Sequence, residues 1–143
     1  MAKDRVLLVD DEVDFLEALA ERLTMRGLDV TCAASGSEAL RIIEETKFDA
    51  VVLDLAMPGL DGLETLRRLH QTQPELQVMI LSGRATVQTA VEATKLGATD
   101  IFEKPMDVDT LVQRIRAARA TRLAHEAEAT QEQIEEIMRT KGW

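Results

Sequence analysis

The chain of 143 residues contains a single cysteine, no long apolar run and no cluster of basic residues. Cys32 cannot form a disulfide within the chain, and its apolar neighbours predict a packing role rather than redox chemistry. Since no apolar stretch reaches the length of a bilayer span, we expect no transmembrane helix and no membrane association. The first residues do not resemble a signal peptide, so we expect a cytoplasmic location by elimination.

The charge balance excludes a further class, because 26 acidic residues outnumber 17 Lys and Arg and give a net charge of -9. Proteins that bind nucleic acid neutralise phosphates with clustered Lys and Arg, so we expect no direct nucleic acid binding. What the chain does have is an ordinary globular composition, with 45% hydrophobic and 30% charged residues. Its length is sufficient for one domain with a buried core.

Short apolar runs alternate with helical patterns along the whole chain. The runs predict five strands, at 5–9, 28–33, 50–53, 77–81 and 100–103. Between these runs, and after the last one, apolar residues recur at the three- and four-residue spacing of one helix face. Strands that alternate with helices are typical of a parallel sheet covered on both faces. We therefore predict an α/β fold with a doubly wound five-stranded parallel sheet and five helices.

The third predicted strand, 50–53, is continuously apolar, which suits a strand buried on both faces of a sheet. Asp54 follows it directly, at the edge where open α/β sheets bind their ligands. Pro58 and Gly59 then favour a loop, and Asp61 with Glu64 forms a capping pattern for the next helix. Ser35 and Glu38 form a similar pattern before the second helix.

Polar residues follow four of the five predicted strands, and the fold would bring them to one edge of the sheet. They are Asp10 and Asp11, Asp54, Ser82, and Lys104. Clustered carboxylates repel one another unless a cation neutralises them, and Mg²⁺ suits a site with few oxygen ligands from the protein. A carboxylate, a metal, a lysine and a hydroxyl can together hold a transferring phosphoryl group. Taken singly, these residues also fit helix capping or turn formation, but their joint placement predicts phosphorylation of Asp54.

Four motifs carry a resemblance to the response-regulator receiver domains of two-component signalling. They are Val-Asp-Asp-Glu at 9–12, Leu-Asp-Leu-Ala-Met-Pro-Gly-Leu-Asp-Gly at 53–62, Leu-Ser-Gly at 81–83, and Phe-Glu-Lys-Pro at 102–105. The resemblance covers about residues 5–122 and implies a flavodoxin-like strand order of 2-1-3-4-5. The stretch 86–98 also resembles receivers attached to sigma-54-dependent activators, a narrower match that rests on one helix.

The resemblance implies a role for each motif residue. Asp54 would be the phosphoacceptor. Asp10 and Asp11 would hold Mg²⁺ together with Asp54 and the backbone carbonyl of Ala56. Ser82 would be the switch hydroxyl, and Lys104, which would precede a cis peptide bond, would pair with the phosphate. A sensor histidine kinase or phosphotransfer protein would supply the phosphoryl group. The result would be a signalling switch rather than an enzyme, which changes the face formed by the fourth helix, fifth strand and fifth helix. That face could also pair two copies of the chain as a homodimer.

One position departs from the family pattern. Receivers commonly carry Tyr or Phe three residues before the lysine, whereas this chain has Ile101 there. Since residues of a strand alternate between faces, the neighbouring Phe102 points to the opposite face and cannot replace it. The aromatic half of the switch is therefore in question. Arg84, two residues after Ser82, is expected near the mouth of the site, where it would tune the lifetime of the phosphoryl group.

The chain changes in character beyond residue 122, so we divide it into a receiver domain at 1–122 and a C-terminal helical extension or linker at 123–143. The extension is rich in Ala, Glu and Gln, which favours helix. Five residues at alternating four- and three-residue steps form a weak heptad stripe: Leu123, Ala127, Thr130, Ile134 and Ile137. Ala and Thr are poor seam residues, so an exposed helix, a frayed tail and a dimerising coiled coil all remain open.

Two other classes of function also remain open. Phosphatases of the haloacid dehalogenase type use Asp, Mg²⁺, Ser or Thr, and Lys, but their nucleophile follows the first strand in an Asp-x-Asp pattern. Here the adjacent acids follow the first strand, and the candidate nucleophile follows the third. The second alternative is an interaction module that retains the fold without phosphorylation, for which Ile101 leaves an opening.

Overall fold

The computed structural model describes residues 3–57, 62–83 and 86–140. Within these ranges five strands alternate with five helices. The strands are β1 (Arg5–Val9), β2 (Asp29–Ala33), β3 (Ala50–Leu53), β4 (Gln77–Ser82) and β5 (Asp100–Glu103). The helices are α1 (Val13–Met25), α2 (Gly36–Glu45), α3 (Gly62–Thr72), α4 (Val87–Lys95) and α5 (Val108–Thr140). All strand pairs are parallel and the order is β2-β1-β3-β4-β5, which confirms the predicted fold and strand order.

Two apolar clusters cover the two faces of the sheet, because alternate residues of each inner strand point to opposite sides. In β3, Val51 and Leu53 belong to the cluster that includes residues of α2, α3 and α4. Ala50 and Val52 belong to the other cluster, which includes residues of α1 and α5. Cys32 is partly buried against this second cluster, so its predicted packing role is confirmed. The sheet is thus wrapped on both sides, as predicted.

The capping prediction for α2 is confirmed in part. The Ser35 side chain accepts a hydrogen bond from the backbone N–H of Glu38 at 3.2 Å. The Glu38 carboxylate, however, accepts from the N–H of Ala34 at 3.4 Å, one residue earlier than a capping box requires. The capping residue predicted for α3, Asp61, lies outside the described residues, as does the predicted turn at 58–59.

The predicted apolar face of α4 is wrong. We expect from the sequence that Val87, Ala90, Val91 and Thr94 face the core, but Ala93 is the buried residue of α4 and Leu96 packs beside it. Val87 is 84% exposed and Val91 is 47% exposed. Residues two positions apart in a helix are separated by ~200° around its axis, so burial of Ala93 turns Val91 outward. A short helix of small and β-branched residues offers two possible stripes, and the smaller side chain fits against the sheet.

Helix α5 extends for 33 residues without a break. Its buried residues are Leu111, Val112, Ile115 and Ala118, and from Leu123 to Thr140 every side chain is exposed. The extension is therefore a continuous helix rather than a frayed tail up to Thr140, while the proposed domain division at residue 122 stays a prediction. None of the helices in the described ranges is both long enough and apolar enough to cross a bilayer.

A buried carboxylate attaches α5 to the edge of the sheet where β3 begins. Asp49 is 4% exposed, and its Oδ2 accepts the backbone N–H of Arg5 at 2.8 Å. Its Oδ1 accepts two bonds from the Arg122 guanidinium, at 2.5 Å from Nη2 and 3.2 Å from Nε. Arg119 lies 3.9 Å from the same oxygen. This ion-pair cluster lies at the opposite end of β3 from Asp54.

Candidate functional site

A cavity of about 370 Å³ opens at the carboxyl ends of the central strands. Strand register explains why the predicted residues converge there. Val9 of β1 pairs with Leu53 of β3, so Asp10 and Asp54, the next residues of each strand, lie side by side. The cavity is lined by Asp11, Glu12, Asp54, Ala56, Ser82 and Gly83.

Three carboxylates meet at this edge of the sheet. One oxygen from each of Asp10, Glu12 and Asp54 lies within 4.8 Å of the other two. Asp10 and Asp54 are each 4% exposed, whereas the Glu12 side chain is 67% exposed. Backbone groups orient the two buried carboxylates, since Asp10 Oδ1 accepts the N–H of Glu12 at 2.9 Å and Asp54 Oδ1 accepts that of Ala56 at 3.2 Å. Both Oδ2 atoms are left facing Lys104.

Lys104 provides the positive charge of the site. Its Nζ lies 2.7 Å from Asp10 Oδ2, 3.4 Å from Glu12 Oε1 and 3.9 Å from Asp54 Oδ2. Its side chain is only 14% exposed. The peptide bond that follows it, to Pro105, is cis, as the family resemblance implied. One ammonium group thus contacts all three carboxylates.

Burial and charge act against each other on Asp10 and Lys104. Burial raises the pKa of Asp10 above its ordinary value, although the bonds from Lys104 and from the Glu12 N–H oppose the rise. For Lys104, burial lowers the pKa. The hydrogen bond to Asp10 and the charges of Asp10, Asp54 and Glu12 together raise the pKa by more than burial lowers it. The net result is a raised Lys104 pKa, so the amine is charged at neutral pH.

The donor set fits a small divalent cation. Carboxylate oxygens are hard ligands, and Mg²⁺ is commonly bound through one or two carboxylates and several waters. The pKa of Asp10 is raised because burial penalises its charge, and a bound cation would relieve that penalty. The geometry adds Glu12, which the sequence analysis did not assign. Asp11 lines the cavity but is not in the three-carboxylate group.

Two of the remaining predicted residues, Ser82 and Ala56, also line the cavity. Ser82 is fully buried and is the last residue of β4 rather than the first residue after it. Ala56 lines the cavity, and its role as a carbonyl ligand stays a prediction. Ile101 packs against the cluster of α2, α3 and α4, and Phe102 packs against the cluster of α1 and α5. This confirms that the two side chains point to opposite faces of β5. Arg84 lies outside the described residues.

The fold and motifs match known proteins along most of the chain. The sequence profile described as "Response regulator receiver domain" matches residues 6–116. The transcriptional regulatory protein GlrR of Escherichia coli (strain K12) is 38% identical over 137 residues, which are 96% of this chain and 30% of that protein. The response regulator MprA of Mycobacterium sp. (strain KMS) is 41% identical over 113 residues, 79% of this chain and 49% of that protein. The chain thus spans half or less of these relatives.

Solved structures agree with the sequence matches. A CheY-like response regulator receiver domain protein from Methanospirillum hungatei JF-1 superposes with a TM-score of 0.82 at 26% identity, covering 87% of this chain and 99% of that one. NtrX from Brucella abortus superposes with a TM-score of 0.80 at 34% identity, covering 89% of this chain and 29% of that one. Sequence profile, relatives and fold lead to one conclusion. The chain belongs to the response regulator receiver domain family.

Proposed function

We propose that the chain is a phosphorylation-dependent signalling switch in which Asp54 accepts a phosphoryl group from a phosphohistidine. The donor would be a sensor histidine kinase or a phosphotransfer protein. One observation carries the proposal: the buried carboxylate of Asp54 opens on a cavity and lies 3.9 Å from the ammonium of Lys104. A nucleophile beside a fixed cation is the arrangement that phosphoryl transfer requires.

The transfer exchanges one bond for another at phosphorus. A carboxylate oxygen of Asp54 attacks, the bond from phosphorus to the donor imidazole nitrogen breaks, and the leaving nitrogen takes up a proton. The N–H of Ala56 orients the attacking carboxylate. Lys104 then pairs with a phosphoryl oxygen in place of the Asp54 carboxylate, and the Ser82 hydroxyl donates to another. Water later hydrolyses the acyl phosphate and restores the carboxylate.

Asp10, Asp54 and the Ala56 carbonyl, with Glu12 or Asp11, would hold Mg²⁺ in this proposal. When bound, the ion would neutralise charge on the phosphoryl oxygens. The three carboxylate oxygens within 4.8 Å of one another support this assignment. Asp11 would act from the rim of the cavity, where it lies.

The output of the switch would be a changed surface rather than a reaction on a separate substrate. The proposed surface consists of α4, β5 and α5, where Val87 and Val91 are already exposed. Membership of the receiver family counts against a phosphatase of the haloacid dehalogenase type. The position of Asp54 counts against it as well, because the candidate nucleophile follows the third strand and not the first. The proposal includes a relation of this chain to the receivers of sigma-54-dependent activators, which rests on α4. It also includes a cytoplasmic location and no direct binding of nucleic acid by this chain.

The exposed part of α5 supports a homodimer through the C-terminal extension. Leu123, Ile134 and Ile137 lie on one stripe and are 45%, 46% and 58% exposed. If this stripe is the seam of a coiled coil, four acidic residues fall at heptad positions b, c and f, on the outer side of the helix away from the seam: Glu128, Glu132, Glu135 and Glu136. His125 also lies on the outer side, where its Nδ1 is 2.8 Å from Glu75 of the domain. The stripe therefore faces away from the domain and could pair with a second copy.

The charge distribution of α5 favours a second copy of this chain as the partner of the stripe. Glu126 is the charged residue that flanks the seam, and it already pairs with Arg122 at 2.8 Å. Two such helices can meet in parallel without bringing their outer glutamates together. Because Ala127 and Thr130 fill the seam poorly, we expect a weak dimer that forms at high protein concentration.

The proposed function is tested by intact mass after incubation with acetyl phosphate, with Mg²⁺ or with EDTA. We expect one phosphoryl adduct that requires Mg²⁺ and is absent from Asp54→Asn. Asp29→Asn, an exposed acid at the other end of the sheet, is the matched control and should behave as wild type. If no adduct forms under any condition, the chain is the interaction module that retains the fold without the chemistry.

A further inference from the structure

The ammonium of Lys104 has an uncharged neighbour that the proposed mechanism does not use. Its Nζ lies over the ring of Phe15, 4.0 Å from the centroid. A cation within about 6 Å of an aromatic centroid is attracted by the electron-rich face of the ring. Lys104 is therefore held by two different kinds of contact, ion pairs with three carboxylates and the face of an aromatic ring.

The position of Phe15 is well defined. Phe15 lies in the first turn of α1, which begins at Val13, directly after the acidic run. It is partly buried and packs against the apolar cluster between the sheet and helices α1 and α5. The ring is thus held by the fold, while Lys104 reaches it from the end of β5, 89 positions later in the chain.

The two kinds of contact respond differently when the site is used. A cation bound by Asp10 and Asp54 would compete with Lys104 for both carboxylates and would repel its ammonium. Phosphorylation would replace the Asp54 carboxylate as a partner of the lysine. The ring of Phe15 is not a ligand for a hard cation, so its attraction for the ammonium persists throughout.

We propose that Phe15 is a positioning residue that keeps the Lys104 ammonium at the site while metal and phosphoryl group occupy the carboxylates. This inference rests on the proposed function for its consequence, since it acts on the rate at which Asp54 is phosphorylated. If Lys104 leaves Asp10, the ring would keep its ammonium at the site instead of releasing it to solvent. The ring acts as a fixed support around which the ammonium exchanges its anionic partners.

A first experiment measures the contact itself by NMR, without phosphorylation. The ε-methylene protons of Lys104, assigned with Lys104→Arg, should be shifted upfield by the ring current of Phe15, both in EDTA and after saturation with Mg²⁺. Phe15→Leu should abolish the shift, and Phe102→Leu, which removes a ring from the same apolar cluster, should preserve it. Loss of the shift on adding Mg²⁺ would overturn the proposal, because the lysine would then have left the ring.

A second experiment measures the Mg²⁺-dependent rate of phosphorylation by acetyl phosphate. We expect Phe15→Leu to slow it about threefold to tenfold and Phe102→Leu to leave it within about twofold. If Phe15→Leu folds poorly, mono- and trifluorinated phenylalanine at position 15 weaken the ring's attraction at nearly constant shape, and the rate should fall stepwise with fluorine content. Equal rates across that series overturn this inference alone. Failure of the wild type to be phosphorylated would instead count against the proposed function, and the NMR result would still decide the contact.

Discussion

Replacing Asp10 with asparagine should make the protein more stable than wild type in EDTA and less stable than wild type in saturating Mg²⁺. The Asp10 side chain is 5% exposed, and the cost of burying a carboxylate is several kcal/mol. Its oxygen lies within 4.8 Å of one on Asp54, which adds a repulsion of roughly 3.5 kcal/mol at an effective dielectric constant of 20. The Lys104 Nζ lies 2.7 Å from Asp10 Oδ2, and its attraction offsets about 6 kcal/mol of these costs at the same dielectric constant. The balance is slightly unfavourable, in agreement with the raised pKa of Asp10.

Asparagine removes the charge, and its single side-chain oxygen can still accept the hydrogen bond from the Glu12 N–H. Lys104 keeps Glu12 and Asp54 as anionic partners. We therefore expect Asp10→Asn to be more stable than wild type in EDTA by about 1 kcal/mol, or about 3 °C in Tm for a domain of this size. With Mg²⁺ at about 100 times its Kd, wild type should gain about 2.7 kcal/mol. The variant lacks one proposed ligand and should gain much less, so the order of stability should invert.

The pH dependence gives a second reading of the same change. The pKa of Asp10 in the folded protein is raised above its ordinary value of 3.8, so the folded state binds more protons between those two values. Wild type should lose stability in EDTA as pH rises through that window, and Asp10→Asn should lose less. Urea denaturation across this pH range measures both curves. A variant that is less stable than wild type in EDTA, or one that Mg²⁺ stabilises equally, would refute the reasoning.

Three further predictions concern other parts of the chain. Arg122→Ala should lower the free energy of unfolding by about 2–3 kcal/mol, because among the described residues it leaves the buried Asp49 with the backbone N–H of Arg5 and a more distant Arg119, and phosphorylation should be unchanged. Gly62→Ala should cost roughly 2 kcal/mol and slow phosphorylation, since a Cβ there would lie 2.3 Å from the Leu55 Cα and 2.7 Å from the Asp54 carbonyl oxygen. We expect sedimentation velocity to detect self-association of the wild type at high concentration, and Ile134→Glu should abolish it.

Each of these changes has a matched control. Arg114→Ala removes an exposed arginine of the same helix and should leave the urea midpoint unchanged. Gly83→Ala meets nothing closer than 4.0 Å, so a loss of stability as large as that of Gly62→Ala would contradict the steric argument. Glu132→Gln changes the outer side of α5 and should preserve the dimer. A wild type that stays monomeric at every concentration would contradict the proposed seam.

The fold could be predicted because apolar periodicity and strand order carry most of its information. Continuous apolar runs such as 50–53 predict buried parallel strands, and β3 is buried throughout. The convergence of Asp10 and Asp54 follows from the same reasoning, because residues after neighbouring parallel strands must meet. Periodicity failed at α4, where the small side chain of Ala93 is buried and the larger Val87 is exposed. In so short a helix, packing space against the sheet decides which stripe is buried.

Contacts between distant segments could not be read from the sequence. Arg122 pairs with Asp49 across 73 positions, and no motif or spacing in the sequence links the two residues. Phe15 appears in the sequence as one more apolar helix residue, and its contact with Lys104 emerges only once β5 lies beside α1. Glu12 had a signal, as the third acid of a run. Its distance from Asp54 depended on how the backbone turns into α1.

The identity of the phosphorylated residue tests the central claim most directly. After incubation with acetyl phosphate and Mg²⁺, borohydride reduces an aspartyl phosphate to homoserine, and peptide mass mapping locates the reduced residue. The account predicts homoserine at position 54 and at no other position, with none formed in EDTA. Homoserine at Asp10 or Asp11, or unreduced aspartate at position 54 in protein that carries a phosphoryl adduct, would contradict it.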